Sequence, residues 1–270
     1  MVTEILNDSH WQLPTFDLHE FARRKTDYCI CIPIINEGDR IRRELADMVQ
    51  HKIAVTADIL VLDGGSTDGT TNHDFLRSQG VCALLVKTGP GKLSTQLRMG
   101  YAYAMRQGYQ GLVTIDGNDK DNVDAIPAFI AAMREGWDLV QGSRFVPGGQ
   151  SINTPLSRFL AIKLIHVPLI NFGAHFTYSD TTNGYRGYSR RLLLDSRVQP
   201  FRNVFETYEL LAYMSVRAPQ LGFKVKEIPV TRRYPLSGKT PTKIRGFKGN
   251  MTLIGILLDV VRGQYNPTRT

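Results

Sequence analysis

The stretch Leu112-Val113-Thr114-Ile115-Asp116-Gly117-Asn118-Asp119-Lys120-Asp121 passes from a short apolar run straight into a loop with three acids and an amide in six positions. The apolar part predicts a buried strand. Carboxylates gathered at the end of such a strand repel one another, and a hard cation bound through oxygen ligands would resolve the repulsion. The same loop also reads as an exposed acidic cap for the helix expected over 124–135. Spacing alone leaves both readings open.

Working outward, the pattern repeats. Residues 28–32 form an apolar run that ends in Pro33-Ile34-Ile35-Asn36-Glu37-Gly38. Residues 58–62 form another, followed by Asp63-Gly64-Gly65-Ser66-Thr67-Asp68-Gly69. Strands are also expected over 81–86 and 138–141. Helices are expected over 39–50, 70–79, 93–107 and 124–135, the first and third with apolar residues at helical spacing. Strands alternating with helices of this length indicate an α/β fold with a mostly parallel sheet and helices on both faces. Ligands bind such sheets at the carboxyl ends of the strands. The acidic and Gly-rich segments fall there. Asn36 and Glu37 suit a base or ribose and equally suit a helix cap. Asp63 and Asp68 flank glycines that let a ligand approach the backbone, and also suit a turn.

After Ser151 the pattern changes. Residues 155–176 are long, apolar and helical in character, with a break expected at Pro168. A helix is expected over 203–216 and a half-exposed strand over 224–231. Residues 250–261 carry Met251, Ile254, Leu257, Leu258 and Val261 on one stripe, flanked by Lys248 and Arg262. Residues 1–26 read as an irregular N-terminal extension, with a short helix near 16–24.

The 270 residues are 42% hydrophobic and 21% charged, which excludes a disordered or low-complexity chain. Three cysteines are too few for a disulfide scaffold; Cys29 and Cys31 share one side of a strand and read as inert core thiols in a reducing compartment. The start of the chain lacks a basic n-region and an apolar h-region, so no signal peptide is expected. No run approaches 18 uninterrupted apolar residues, so no membrane span is expected. The net charge is +8, and between Arg217 and Arg262 ten Lys/Arg face only Glu227 and Asp259. That concentration points to an anionic partner. Aromatic and basic interleaving of the kind that reads nucleic acid is missing, so no nucleic acid is expected. There is no zinc spacing, no Gly-x-Ser-x-Gly and no Walker loop. A sugar nucleotidyltransferase is disfavoured because 33–39 is acidic where that class needs a Gly-rich basic signature.

The three loops, in this order and at these intervals, resemble glycosyltransferase family 2, which has the GT-A fold. The resemblance covers about residues 27–245, leaving 1–26 as an extension and 246–270 as an amphipathic helix and tail. Within the family the chain looks most like the polyprenyl- and dolichol-phosphate sugar transferases. Gly89–Arg98 resembles the segment approaching the donor phosphates. Asp180-Thr181-Thr182-Asn183-Gly184-Tyr185-Arg186 resembles the acceptor-side block. Residues 232–243, with Arg233, Ser237-Gly238-Lys239 and Lys243, are similar to a basic stretch of the family.

The resemblance implies a nucleotide-sugar donor held by Pro33, Asn36, Glu37, Asp63, Ser66, Asp68 and Lys92. It implies Mg²⁺ or Mn²⁺ on the donor diphosphate at Asp116, with Asn118 and Asp119; Asn118 stands where the family motif has its second acid. Arg186, Arg232, Arg233, Lys239 and Lys243 are the implied phosphate contacts on the acceptor side. Departure of the diphosphate builds negative charge that a metal at Asp116, with Lys92 or Arg186 nearby, would stabilise as catalytic groups, and attack from the opposite face inverts the anomeric carbon. An ionised lipid phosphate as acceptor needs no general base. A sugar hydroxyl, as in polysaccharide or O-antigen assembly, would need one, and Asp180, Glu206 and Glu209 are the candidates. The two apolar stretches and the local positive charge lead to the expectation of a cytoplasmic chain attached peripherally to an anionic membrane face. Core packing or a homo-oligomer would cover the same stretches.

Overall fold

The computed structural model describes residues 8–235 and 246–268. Its chain order begins β1 (Phe16–Glu20), β2 (Tyr28–Ile34), α1 (Asp39–Gln50), β3 (Asp58–Asp63), α2 (His73–Ser78) and β4 (Val81–Lys87). It continues with α3 (Leu93–Arg106), β5 (Gly111–Thr114), α4 (Ile126–Arg134), β6 (Leu139–Ser143) and β7 (Gln150–Ile152). The second half holds α5 (Leu156–Ala161), a π turn (Ile162–His166), α6 (Val167–Ala174), β8 (Arg186–Ser189), α7 (Arg190–Leu194) and α8 (Glu209–Gln220). β9 (Val225–Pro229), β10 (Thr231–Arg233) and α9 (Gly246–Val261) close it.

Among the described residues eight strands form one sheet in the order β1-β4-β3-β2-β5-β8-β6-β9. β2, β3, β4 and β5 pair in parallel, as do β6 and β9; β8 runs antiparallel between β5 and β6. Every residue of β2 is buried, as a strand covered on both faces requires. Cys29 and Cys31 face one core, built with α3 and α8, and all three thiols are free and buried. Ile30, Ile32 and Ile34 face a second core, built with α1 and α4. The chain runs from β2 outward to β4 and returns to β5 on the other side of β2. The strand order therefore reverses at β2, and its carboxyl end opens a crevice with that of β5.

Several elements differ from the sequence reading. The expected helix near 16–24 is β1, which pairs antiparallel with β4 from Phe16↔Lys87 to Glu20↔Ala83. The free edge of β4 offers unpaired backbone groups, and that pairing outweighs local preference. β8 is not foreshadowed by any apolar run; the edges of β5 and β6 impose it. The helix expected over 203–216 begins only at Glu209. The break expected at Pro168 does not occur: the helix runs through Leu156–Ala174. A π turn just before the proline widens the backbone, which relieves the clash of its ring with the preceding turn.

Leu156–Ala174 is long and apolar enough to cross a membrane by length and composition, unlike the expectation above. Its inner side is nevertheless packed. Val167, Ile170, Gly173 and Ala174 are buried, and a Cβ on Gly173 would stand 2.8 Å from Val261 of α9. Leu156, Leu164 and Phe172 are exposed on its outer side.

Candidate active site

Three loops meet at the crevice. The Asn36 N–H donates to Ser66 Oγ (2.8 Å), and Asn36 Oδ1 accepts from the Thr67 N–H (2.8 Å). The Gly38 N–H donates to Asp68 Oδ2 (3.0 Å). Asp63 accepts from the N–H groups of Gly65 and Ser66 and from the Ser66 hydroxyl. Gln96 of α3 donates to the carbonyls of Ile34 (2.8 Å) and Leu62 (3.0 Å), holding the ends of β2 and β3 together. Burial opposes ionisation of Asp68, but hydrogen bonds from Thr70 and Gly38 outweigh it and hold the carboxyl below its usual range. Pro33 lies buried inside β2, and Glu37 ion-pairs with Arg40 at 2.7 Å. Lys92 is exposed before α3, 5.9 Å from the Tyr208 ring. The structure thus ties the two loops together through Asn36 to Ser66 and Thr67 and through Gly38 to Asp68, with the buried Asp63 bonded to Ser66.

The acid loop after β5 is fastened from two sides. Arg232 of β10 donates to Asp116 Oδ2 (3.0 Å) and to Asp121, and also to Asn183 Oδ1 (3.2 Å). Asp121 is fully buried, and burial raises its carboxyl to about 6 against the pull of Arg232. Burial also opposes ionisation of Asp116, but there Arg232 and then Lys120 prevail, and its carboxyl sits below the ordinary range. Asp119 turns away: its backbone is left-handed (φ 57°), its carboxylate pairs with Arg43 at 2.7 Å, and its N–H donates to Glu44 (2.8 Å). Gly184 leaves room for Asp116, since a Cβ there would stand 2.7 Å from Asp116 Oδ1.

The cation implied by the resemblance has a fitting donor set. Asn118 Oδ1 is buried and has no hydrogen-bond partner among the described residues. Its Nδ2 donates to Asp116 Oδ2 (3.3 Å), so amide and carboxylate are adjacent. An orphaned amide oxygen beside an ionised carboxylate suits a hard cation whose remaining positions are filled by diphosphate and water. Asp119, committed to Arg43, is not brought to this pair. No group of three His, Cys, Asp or Glu side chains converges on one point among the described residues.

A cleft of about 570 Å³ opens beside Asp116. Asp116, Arg232, Arg186 and Arg158 give it a polar end; Ile162, Ile165, Leu211 and Leu257 are among the apolar side chains that line the rest. Arg186 is only 1% exposed, and its guanidinium is spent on the carbonyls of Asn183, Thr181 and Leu211 and on Ser215. Arg158, which sequence reasoning passed over, donates to the Tyr234 hydroxyl at 3.4 Å. Only its place on α5, beside the acid loop in space, marks it. Arg233 is exposed, and Lys239 and Lys243 lie outside the described residues. The basic segment is therefore not one continuous face: Arg232 is inside the site, and Lys226 pairs with Glu135 at 3.5 Å.

The three candidate bases do not line the cleft. Asp180 is fully buried and bound by Arg144 at 2.6 and 2.8 Å; burial opposes its ionisation, and the Arg144 hydrogen bonds hold it ionised. Glu209 accepts from the Thr207 N–H (2.7 Å) and hydroxyl at the start of α8. Glu206 has an exposed side chain, while its carbonyl accepts from Lys92 N–H (2.7 Å). Glu209→Ala should accordingly cost about 1–2 kcal/mol of stability through the lost hydrogen bonds to Thr207, with turnover within about twofold of wild type. Urea denaturation and steady-state kinetics check this. A hundredfold loss of turnover at unchanged stability would make Glu209 a base.

Fold and site together define a GT-A glycosyltransferase. No family model matches the chain, but individual relatives do. It is 31% identical over 207 residues to an undecaprenyl-phosphate mannosyltransferase of Micrococcus luteus, covering 74% of this chain and 81% of that one. It is 28% identical to a polyprenol monophosphomannose synthase of Mycolicibacterium smegmatis, over 75% of this chain and 76% of that one. In architecture it is similar to the glucosyl-3-phosphoglycerate synthase of Mycobacterium tuberculosis, crystallised with Mn²⁺, UDP and phosphoglyceric acid. That match has a TM-score of 0.61 at 15% identity and covers 90% of this chain and 80% of that one. The chain belongs to glycosyltransferase family 2, among the polyprenyl-phosphate sugar transferases.

Proposed function

We propose that this chain transfers a sugar from a nucleoside-diphosphate sugar to a polyprenyl monophosphate. The observation that carries the reading is the cleft, whose lining combines the cations Arg232 and Arg158 beside Asp116 with a set of apolar side chains. A lipid phosphate presents an anion and a hydrocarbon chain in that order. The names of the relatives support the same acceptor.

The loops at Asn36, Asp63–Asp68 and Lys92 hold the nucleotide and lead its diphosphate toward Asp116. A bound Mg²⁺ or Mn²⁺ would neutralise charge on the departing diphosphate, held by Asp116 and the Asn118 amide oxygen. Arg232 keeps Asp116 ionised and oriented. Arg158 receives the acceptor phosphate, whose oxygen is already ionised and needs no base to attack. The engagement of Asp180 and Glu209 inside the fold supports a phosphate over a hydroxyl acceptor. Attack opposite the leaving group inverts the anomeric carbon.

Incubation with labelled nucleotide-sugars and polyprenyl phosphate should move label into the organic phase, and EDTA should abolish the transfer. Label passing only to a glycan hydroxyl would overturn the reading. The outer side of Leu156–Ala174 supports attachment to a membrane surface, where such an acceptor resides. Leu164→Asp is expected to lower co-flotation with anionic vesicles about tenfold or more, since one buried leucine contributes about 1.5–3 kcal/mol. Equal flotation of variant and wild type would refute the contact.

A further inference from the structure

Two side chains in the cleft wall have no part in the scheme above: His166 and Thr181. His166 closes the π turn Ile162–His166, and its Nδ1 lies 2.7 Å from Thr181 Oγ1. Single π turns inside α-helices recur at functional sites, because the extra residue re-aims a side chain. Thr181 is fixed in turn. Its carbonyl accepts from Arg186 Nη2 at 2.9 Å, and its neighbour Asp180 is locked on Arg144.

One proton sits in the His166–Thr181 hydrogen bond. If the Thr181 hydroxyl donates it, the neutral ring carries its own proton on Nε2. If Nδ1–H donates it, the threonine hydroxyl proton is free to point elsewhere. Either arrangement leaves the pair one neutral donor. The charged groups that act on the ring are Arg186 and Asp180. Burial, and then Arg186, push the imidazole down to about 4, so it is uncharged near neutral pH. A neutral donor can orient an anion without adding a further positive charge that would damp its nucleophilicity.

We propose that His166 and Thr181 act as one hydrogen-bonding unit that orients the phosphate of the lipid acceptor where the apolar run meets the charged end of the cleft. This rests on the acceptor reading above, and the experiment separates the two. The full chain is assayed with labelled nucleotide-sugar and a polyprenyl monophosphate in detergent. No transfer by wild type refutes the acceptor reading, and this inference with it. Given transfer, His166→Ala and Thr181→Val should each raise KM for the lipid phosphate about tenfold and leave KM for the nucleotide-sugar within about twofold. The double variant should be no worse than either single one, because both remove the same unit. His166→Gln keeps an N–H donor and should stay within about threefold of wild type. An unchanged lipid KM in His166→Ala, a parallel rise in donor KM, or additive effects in the double variant would each overturn the inference. Should His166→Ala fail to fold, Thr181→Val and His166→Gln carry the same contrast.

Discussion

Asp116→Ala is expected to lower sugar transfer about a thousandfold at saturating Mn²⁺, equivalent to about 4 kcal/mol of lost transition-state stabilisation. Asp116 follows β5 at the reversal of strand order, and Arg232 and Asn118 fix its Oδ2. A carboxylate so oriented would hold a divalent cation toward the departing diphosphate without reorganising, which is where electrostatic catalysis gains most. Loss of folding should not explain the defect, because Arg232 retains Asp121 and Asn183. Thermal melts should show the variant folded but no longer stabilised by UDP or GDP plus Mn²⁺, while wild type is stabilised by one of them. Turnover within tenfold of wild type would remove Asp116 from the reaction.

Arg232→Met should act on stability instead, at a cost of about 3–5 kcal/mol. It strands Asp121, whose side chain has no solvent exposure, and removes the main partner of Asp116. The deficit should also depend on pH. Burial holds Asp121 at about 6 even with Arg232 present, above its unfolded value. A carboxyl raised in this way costs stability as pH rises through its folded pKa, and without the guanidinium that pKa climbs further. The variant should therefore be more impaired at pH 8 than at pH 5 in urea denaturation. Arg232→Lys should recover only part of the loss, since one ammonium cannot span Asp116, Asp121 and Asn183 as the planar fork does. A loss below about 1 kcal/mol at both pH values would show that the buried carboxylates find other partners.

The central strands and their loops were legible because β2, β3 and β5 are buried on both faces and so read as continuous apolar runs. The loops at their ends carry acids that burial would otherwise forbid. β1 and β8 were not legible. Phe16–Glu20 and Arg186–Ser189 become strands only because neighbouring edges need backbone partners. Asp116 and Asn118 lie side by side, as their spacing suggests, with Asn118 Nδ2 3.3 Å from Asp116 Oδ2. Asp119 belongs to the same pattern, but its left-handed backbone sends its carboxylate to Arg43.

Spacing along the chain determined the α/β class and the positions of the three loops, because burial and strand period leave a direct mark on residue type. Tertiary structure alone decided which polar groups are spent and which remain available. Asp180 and Arg186 look reactive in sequence, yet packing satisfies them with Arg144 and with backbone carbonyls. Arg158 and His166 look ordinary in an apolar helix, yet that helix places them in the wall of the cleft beside residues distant in sequence. A side chain's hydrogen-bond partners come mostly from other elements, so the capacity left over for chemistry is known only after the chain has folded.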